Sequence, residues 1–319
     1  MTDFPDNKAN DEKNVLVGIM LKIGAVAVFM AMSTCIKATA SHIPGGEAVF
    51  FRALFAIPPI LAWLGWRGQL RSAFHTDNPL GHLWRGLMGV SAMYLMFVSL
   101  GLLPLPEAVA IGYAAPLLAT ILAAMFLGER LRIYRLSAVF AGLVGVVIVL
   151  EPRLSVLRGG DVDTLAAVGA LSALMGAIFA ALAQVFVRKL VSVERPVTIV
   201  IYFSLMATVL SLLSIPFGWV VPTPREAVLL VAAGLLGGLG QVLLTSSYRH
   251  AETAVIASFE YVSMLIALAI GYFVFAEVPT MSMLAGAALI VAAGLVIVYR
   301  EHRLGIERAR AREVMTPQG

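Results

Sequence analysis

Charged residues are scarce in this chain. They make up only 13% of its 319 residues, whereas 60% are hydrophobic and the mean hydropathy is +0.91. Soluble domains carry about 25% charged and about 45–50% apolar residues. A soluble fold of this length could not cover its core with so little polar surface. The composition therefore excludes an ordinary soluble protein and indicates a membrane protein.

Cysteine and clustered histidine are lacking as well. The single cysteine, Cys35, lies in an apolar run, so no internal disulfide can form. No two of the five histidines stand at metal-binding spacing, and the chain has neither a phosphate-binding Gly-Lys-Ser/Thr loop nor an Asp-rich phosphotransferase pattern. No segment is polar enough to form a nucleotide-binding domain. We therefore predict no metal, no cofactor, no enzymatic activity and no ATP-driven pumping.

Long apolar runs, in contrast, are abundant. A helix that crosses a bilayer needs about 20 mostly apolar residues, and ten segments approach or meet this length. No alternating strand pattern with regular turns appears, which argues against a β-barrel. The predicted fold class is an all-α membrane protein with ten transmembrane helices. The predicted spans are 15–36, 46–66, 82–102, 105–127, 134–150, 164–187, 197–220, 226–247, 252–275 and 279–299.

Lysine and arginine collect on one side of the predicted membrane. With the N-terminus in the cytoplasm, seventeen of the 23 basic residues fall on the cytoplasmic side, four fall on the other side, and Lys22 and Arg52 lie within spans. Cytoplasmic loops normally carry such an excess. We therefore predict a bacterial inner-membrane protein with both termini in the cytoplasm. The same distribution accounts for the pI of about 9.3, so membrane lipid is an expected partner and nucleic acid is not.

Two similar segments suggest an internal repeat. FLGERLR at 126–132 and VFAEVPT at 274–280 place Glu129 and Glu277 148 positions apart, but arginines follow only the first. Other short matches share nearly the same offset, which indicates a weak tandem duplication. Each copy holds five spans, so the second copy is inverted and its matching connection lies outside, where arginine is not expected. Inverted repeats are typical of secondary transporters. The predicted regions are an N-terminal tail at 1–14, the first repeat at 15–150, a linker at 151–163, the second repeat at 164–299 and a basic tail at 300–319.

Three stretches resemble the EamA-type transporters of the drug/metabolite transporter superfamily. They are LPLPEAVAIGYAAPLLATILAAMFLGERL at 103–131, SSYRHAETAVIASFEYVSMLIALAIGYFVFAEVPT at 246–280 and GAALIVAAGLVIVYRE at 286–301. The resemblance covers residues 15–300 and implies ten helices in two inverted repeats around a central cavity. It also implies a small organic substrate, with an amino acid or derivative, riboflavin or S-adenosylmethionine as the candidates. Where the first repeat has Pro116, the second has Val262 or Ser263, so a helix kink is expected in the first repeat alone.

Ionisable residues inside spans are functional candidates, because a charge in hydrocarbon is costly. Glu260 is the clearest acid, and we expect it to take a proton, to pair with a cationic substrate group or a nearby arginine, or to form a structural hydrogen bond. Arg52 is expected either to pair with Glu47 or to bind substrate. Lys22 is expected to extend its ammonium group to the cytoplasmic surface, and Arg85 to anchor its helix at the interface.

Uncharged polar residues complete the predicted substrate site. Each alone is typical of an interhelical hydrogen bond, whereas together they could line a cavity for a planar or amphipathic metabolite. Lys37 is added because it resembles a lysine common at that position in the EamA-type family. The predicted substrate-binding residues are Glu260, Tyr261, Gln184, Gln241, Tyr94, Tyr113, Ser91, Arg52 and Lys37.

These features predict a secondary transporter that works by alternating access, with its two repeats rocking about a site near the membrane midplane. A membrane-embedded enzyme or a non-transporting scaffold is the alternative. The sequence leaves open whether transport is import or export, whether it is coupled to protons or is facilitated diffusion, and whether the protein is a monomer or a homodimer.

Overall fold

The structure is a computed structural model that describes residues 5–127, 133–154, 164–248, 250 and 258–315. Within them, ten helical segments are long and apolar enough to cross a membrane, which confirms the predicted fold class and number of spans. Several spans extend past their predicted ends; the sixth, for example, continues from 187 to Val191. Arg188 and Lys189 occupy its last turn, where the helix dipole favours basic side chains. The spans are Val15–Thr39, Gly45–Trp66, Pro79–Leu102, Leu105–Phe126, Leu136–Arg153, Thr164–Val191, Pro196–Phe217, Pro224–Ser247, Ser258–Phe275 and Met281–Arg300.

The described residues form twelve α-helices, of which eleven make up these spans and their extensions and one short helix lies between the second and third spans. A 3₁₀ segment, Leu212–Phe217, follows the helix that ends at Ser211, and a second, Ser258–Tyr261, precedes the helix that begins at Val262. The helices are α1 (Pro5–Thr39), α2 (Gly45–Trp66), α3 (Leu70–Ala73), α4 (Pro79–Leu102), α5 (Leu105–Gly112), α6 (Ala114–Leu127), α7 (Ile133–Leu154), α8 (Thr164–Val191), α9 (Pro196–Ser211), α10 (Pro224–Ser247), α11 (Val262–Phe275) and α12 (Met281–Met315).

The most extensive helix packing joins the two halves of the chain. α1 packs on α10, α4 on α8, α7 on α12, and α2 on both α9 and α10. Glycine makes the contact between α2 and α10 possible. A Cβ atom at Gly234 would lie 2.8 Å from the carbonyl oxygen of Phe51, and one at Gly238 would lie 2.5 Å from that of Ala56. These glycines therefore let two backbones approach closely, as small residues do in membrane helix packing.

The fourth span is interrupted at Tyr113, between α5 and α6. Pro116 has no N–H, so it cannot donate to the carbonyl of Gly112, and the helix tightens there. The backbone N–H of Tyr113 contacts the carbonyl oxygens of both Val109 and Ala110 at 3.2 Å.

The ninth span also departs from regular α-helix, because its 3₁₀ segment ends at Tyr261, 148 positions after Tyr113. Residues 251–257 lie outside the described residues, so a kink in the first repeat alone stays a prediction. In place of a proline, the hydroxyl of Ser263 donates to the carbonyl oxygen of Glu260 at 2.6 Å, and this side-chain bond stabilises the tighter turn.

The predicted linker begins later than expected, because α7 continues to Leu154. Residues 155–163 of that linker lie outside the described residues, and so do Glu129, Arg130 and Arg132 of the segment that led to the repeat.

Candidate functional site

An ion pair between a buried lysine and a half-exposed glutamate links the first span to the ninth. The ammonium group of Lys22 on α1 bonds to the carboxylate of Glu260 in the 3₁₀ segment. Lys22 is 3% exposed, so the prediction that it reaches the cytoplasmic surface is wrong. A carboxylate within the membrane gives the ammonium a partner, which removes the reason to extend outward. The side chain of Glu260 is 50% exposed, so its carboxylate stays accessible to a proton or a ligand.

Tyr113 and Tyr261 surround this pair at the two helix interruptions. The hydroxyl of Tyr113 donates to that of Ser263, and it also lies 3.2 Å from the carbonyl oxygen of Glu260. The rings of Tyr113 and Tyr261 lie 5.2 Å apart, tilted by 54°. The structure thus brings together three predicted residues with two that were not predicted as ligands. We call this set the central cluster: Lys22, Tyr113, Glu260, Tyr261 and Ser263.

The last span packs against the central cluster at Tyr261. The hydroxyl of Tyr261 lies directly against Gly294 of α12, where a Cβ atom would overlap it. Tyr248, at the end of α10, is close enough to interact electrostatically with both Lys22 and Glu260. The cluster therefore draws on both halves of the chain.

Arg52 and Arg85 lie at a second interior position. Glu47 does not pair with Arg52, because its carboxylate accepts a hydrogen bond from the backbone N–H of Val220 at 3.1 Å. Arg85 does not anchor α4 at the interface; its guanidinium carbon stacks 3.8 Å from the centre of the Phe203 ring. The Nε atoms of both arginines, and Nη1 of Arg85, are buried without a hydrogen-bond partner among the described residues. The two charges are close enough to repel each other.

Lys37 lies apart from both positions, in the last turn of α1. Its ammonium group donates to the carbonyl oxygens of Leu100 and Leu103, at 3.1 and 2.5 Å, and lies 2.9 Å from the carboxylate of Glu277. The other oxygen of Glu277 accepts from the backbone N–H of Leu105 at 2.8 Å. An ammonium group has three donors, so these contacts use all of them. The geometry is that of a clamp between helix ends.

The other four predicted residues are dispersed. Ser91 and Tyr94 lie on α4, with Tyr94 beside the first turn of α2 and 42% exposed. Gln184 is exposed on α8, and Gln241 lines a narrow crevice between α2, α9 and α10. None of the four makes a side-chain hydrogen bond to another described residue. The structure therefore does not bring them together with the central cluster.

Two further groups of buried charges were not predicted. Arg153, in the last turn of α7, donates to both oxygens of Glu107, in the first turn of α5, at 2.8 and 2.9 Å. Their separation of 46 positions gives no periodic signal in the sequence.

Glu194, in the connection before α9, is the centre of the second group. It accepts from the hydroxyl of Thr76 and from the backbone N–H groups of Asp77 and Asn78, with His82 at 3.6 Å. Burial acts to raise the pKa of Glu194, but these hydrogen bonds and His82 outweigh it and hold the pKa below its usual range. A surface cleft of roughly 610 Å³ opens beside Glu194. Its lining residues are Arg71, His75, Asp77, Val193, Glu194, Arg195 and Thr198.

Comparisons with known proteins agree with this architecture. The model of the EamA-like transporter family matches residues 16–151 and 167–299. A pseudopaline exporter of Pseudomonas aeruginosa is 33% identical over 86% of this chain and 94% of its own. An S-adenosylmethionine uptake transporter of Rickettsia bellii is 28% identical over 81% and 84%, and a riboflavin transporter of Rhizobium johnstonii is 29% identical over 82% and 83%. A crystal structure that is 23% identical superposes with a TM-score of 0.64 over 96% of this chain and 99% of its own, which supports the fold.

Proposed function

The chain belongs to the EamA-like transporter family, and from this premise we propose that it moves a small organic metabolite across the bacterial inner membrane by alternating access, with both termini in the cytoplasm. The observation that carries the proposal is the central cluster, where two interrupted spans meet around an accessible ion pair. Discontinuous spans at a midplane site are typical of secondary transporters. Relatives include both an exporter and uptake transporters, so direction is not part of the proposal.

The packing of the helices supports two inverted five-helix repeats. Under an offset of 148 residues, α1 corresponds to α8, α4 to α10 and α7 to α12. The contacts obey this correspondence, because α1 packs on α10 just as α4 packs on α8, and α7 packs on its own counterpart α12. Such reciprocity is expected of two similar units related by a pseudo-twofold axis. We infer that these units move against each other during transport.

The ion pair between Lys22 and Glu260 provides a device for coupling ligand to movement. It joins α1 of the first proposed repeat to the ninth span, in the second. A proton or a cationic group of the substrate that reaches Glu260 competes with Lys22 for the carboxylate and so weakens the contact between the repeats. Tyr113 and Tyr261 present aromatic faces beside Glu260, and such faces attract cations. We propose Glu260, Tyr261 and Tyr113 as substrate contacts, and a substrate that carries a positive charge.

Flux into proteoliposomes tests this proposal. Purified protein would be reconstituted and tested with labelled S-adenosylmethionine, amino acids and riboflavin, in wild type and Glu260→Gln. We expect flux above that of empty liposomes in the wild type and its loss in the variant, because the neutral amide no longer holds a cation. Glu226→Gln is the matched control, since glutamine can retain the capping-box contacts that Glu226 makes with Thr223. Equal flux in Glu260→Gln and wild type would remove Glu260 from the mechanism, and no flux of any compound would count against transport itself.

A further inference from the structure

Two arginines in the interior of this membrane protein have no countercharge. Arg52 is 6% exposed, and the guanidinium of Arg85 has two nitrogen atoms buried without a partner. Arginine keeps its proton in proteins, so both charges persist. Charged residues are almost never fully buried unless they are paired, and the other charge close enough to act on Arg85 is the positive charge of Arg52.

The surroundings of the two guanidinium groups leave room for them but supply no acid. A Cβ atom at Gly89 on α4 would overlap Nη1 of Arg85, and one at Gly237 on α10 would lie 3.1 Å from Nε of Arg52. The Phe203 ring lies against Arg85, and His82 is close enough to interact with it electrostatically. The sulfur of Met32 and Nε of Arg52 would both lie within 3.2 Å of a Cβ atom at Gly237. The helices thus present two guanidinium groups to an apolar interior.

Five acids in or near the described spans have partners other than the two arginines. Their partners are the backbone of Val220 for Glu47, Arg153 for Glu107, the Thr76–Asn78 loop for Glu194, Lys22 for Glu260 and Lys37 for Glu277. None of these carboxylates forms an ion pair with Arg52 or Arg85. Among the described residues, therefore, no carboxylate supplies the countercharge of the two arginines.

We propose that Arg52 and Arg85, which we call the arginine pair, bind a carboxylate group of the transported metabolite. This inference rests on the proposed function and names the substrate class for it. Guanidinium groups match the two oxygens of a carboxylate in geometry as well as charge. A carboxylate between α2 and α4 cancels the repulsion of the pair. Together with Glu260, the interior then offers partners for one anionic and one cationic group.

The predicted substrate is therefore zwitterionic, such as an amino acid derivative. S-adenosylmethionine meets this requirement because it carries a carboxylate, an ammonium and a sulfonium group. Riboflavin has no carboxylate and does not meet it. The presence or absence of a carboxylate, which the arginine pair would bind, therefore distinguishes the candidate substrates.

Thermal unfolding of the detergent-purified chain tests the carboxylate site without knowledge of the substrate. Chloride would be replaced stepwise by acetate at constant ionic strength, with acetamide as a neutral control of the same shape. We expect acetate, but not acetamide, to raise the Tm of the wild type, because a ligand that binds only the folded state stabilises it. Arg52→Gln and Arg85→Gln should not respond. The matched control is Arg67→Gln, because Arg67 is exposed and stacks on Trp63. An equal acetate response in wild type and both variants, or none in the wild type, would overturn the proposal.

A charge-reversal variant covers the case in which the neutral variants do not fold. Arg85→Glu places a carboxylate beside Arg52 and so supplies the missing countercharge from within the chain. We expect this variant to fold and to lose the acetate response. An acetate response equal to that of the wild type would show that the anion binds elsewhere.

Transport assays then separate this inference from the proposed function. In proteoliposomes we expect Arg52→Gln to raise the KM for S-adenosylmethionine by at least about tenfold, since a lost contact to a buried charge weakens binding strongly. An unchanged KM in an active transporter would defeat the inference and leave the proposed function standing. An acetate response in a protein that moves no compound would support the carboxylate site and count against the proposed transport function.

Discussion

Substitution of Lys37 distinguishes two roles for this residue. Lys37 is predicted from the sequence to bind substrate, whereas in the structure it holds helix ends together. In Lys37→Met the ammonium group is lost, and with it the contact that its nitrogen makes 5.3 Å from the centre of the Phe275 ring. The change leaves two carbonyl oxygens and the carboxylate of Glu277 without this donor. Removing one partner of a buried ion pair costs about 3–5 kcal/mol. The side chains of Lys37 and Glu277 are 11% and 17% exposed, and Glu277 keeps its bond from Leu105, so we expect a loss of about 3 kcal/mol.

Equilibrium unfolding in detergent measures this loss, and substrate affinity in proteoliposomes should stay unchanged. A double-mutant cycle with Glu277→Gln should show a coupling of about 1–3 kcal/mol, because the two groups are in direct contact. Lys189→Met is the control, since Lys189 is exposed at the end of α8, and we expect an effect within about 0.5 kcal/mol. If Lys37→Met instead weakened substrate binding while stability stayed within about 1 kcal/mol of the wild type, Lys37 would be a ligand, as its position in the sequence suggests.

Three further expectations follow from local geometry. Gly294→Ala should reduce both transport and stability, the latter by about 1–3 kcal/mol, because its Cβ atom displaces the hydroxyl of Tyr261; unchanged flux and Tm would contradict this. Ala276 has φ 54° and ψ 31°, so Ala276→Gly should stabilise the chain by about 1 kcal/mol, and a lower Tm would be inconsistent with strain there. The folded-state pKa of Glu194 is lowered, so its contribution to stability is full above the unfolded pKa of about 4.3 and is lost as pH falls through the folded value. The stability difference between wild type and Glu194→Gln should therefore shrink between neutral and acidic pH, and a constant difference would contradict it.

The number of spans was predictable because the apolar character of about 20 consecutive residues identifies each span. The residues at which the spans begin and end were harder to predict. The described part of the ninth span begins at Ser258, and residues 252–257 of the predicted span lie outside the described residues. At the end of α8, basic side chains stop the apolar run before the helix stops. Hydrophobicity indicates which residues lie in the bilayer core, whereas backbone hydrogen bonding determines the residue at which a helix ends.

The site was only partly predictable, because a sequence gives depth in the membrane but not the direction in which a side chain points. Glu260, Tyr261 and Tyr113 were recognised, and they lie together. Lys22 was assigned to the surface by its distance from the helix end, although its helix turns it inward to Glu260. Arg85 was misplaced for the same reason. Both errors concern a cation near a span end, where depth alone favours the interface.

The buried charges of this chain divide by position, and this division separates support from function. Charges at helix ends have several partners within the chain: Lys37 uses all three of its donors, and one carboxylate oxygen of Glu194 accepts three hydrogen bonds. Groups held by several partners of the same chain stabilise helix ends. In the interior, Glu260 has one partner and remains half exposed, and the arginine pair has none among the described residues. Incomplete pairing is costly inside a membrane. A transported molecule with the opposite charges would remove that cost for as long as it stays bound, and its departure would restore it, so that binding and release favour different arrangements of the helices.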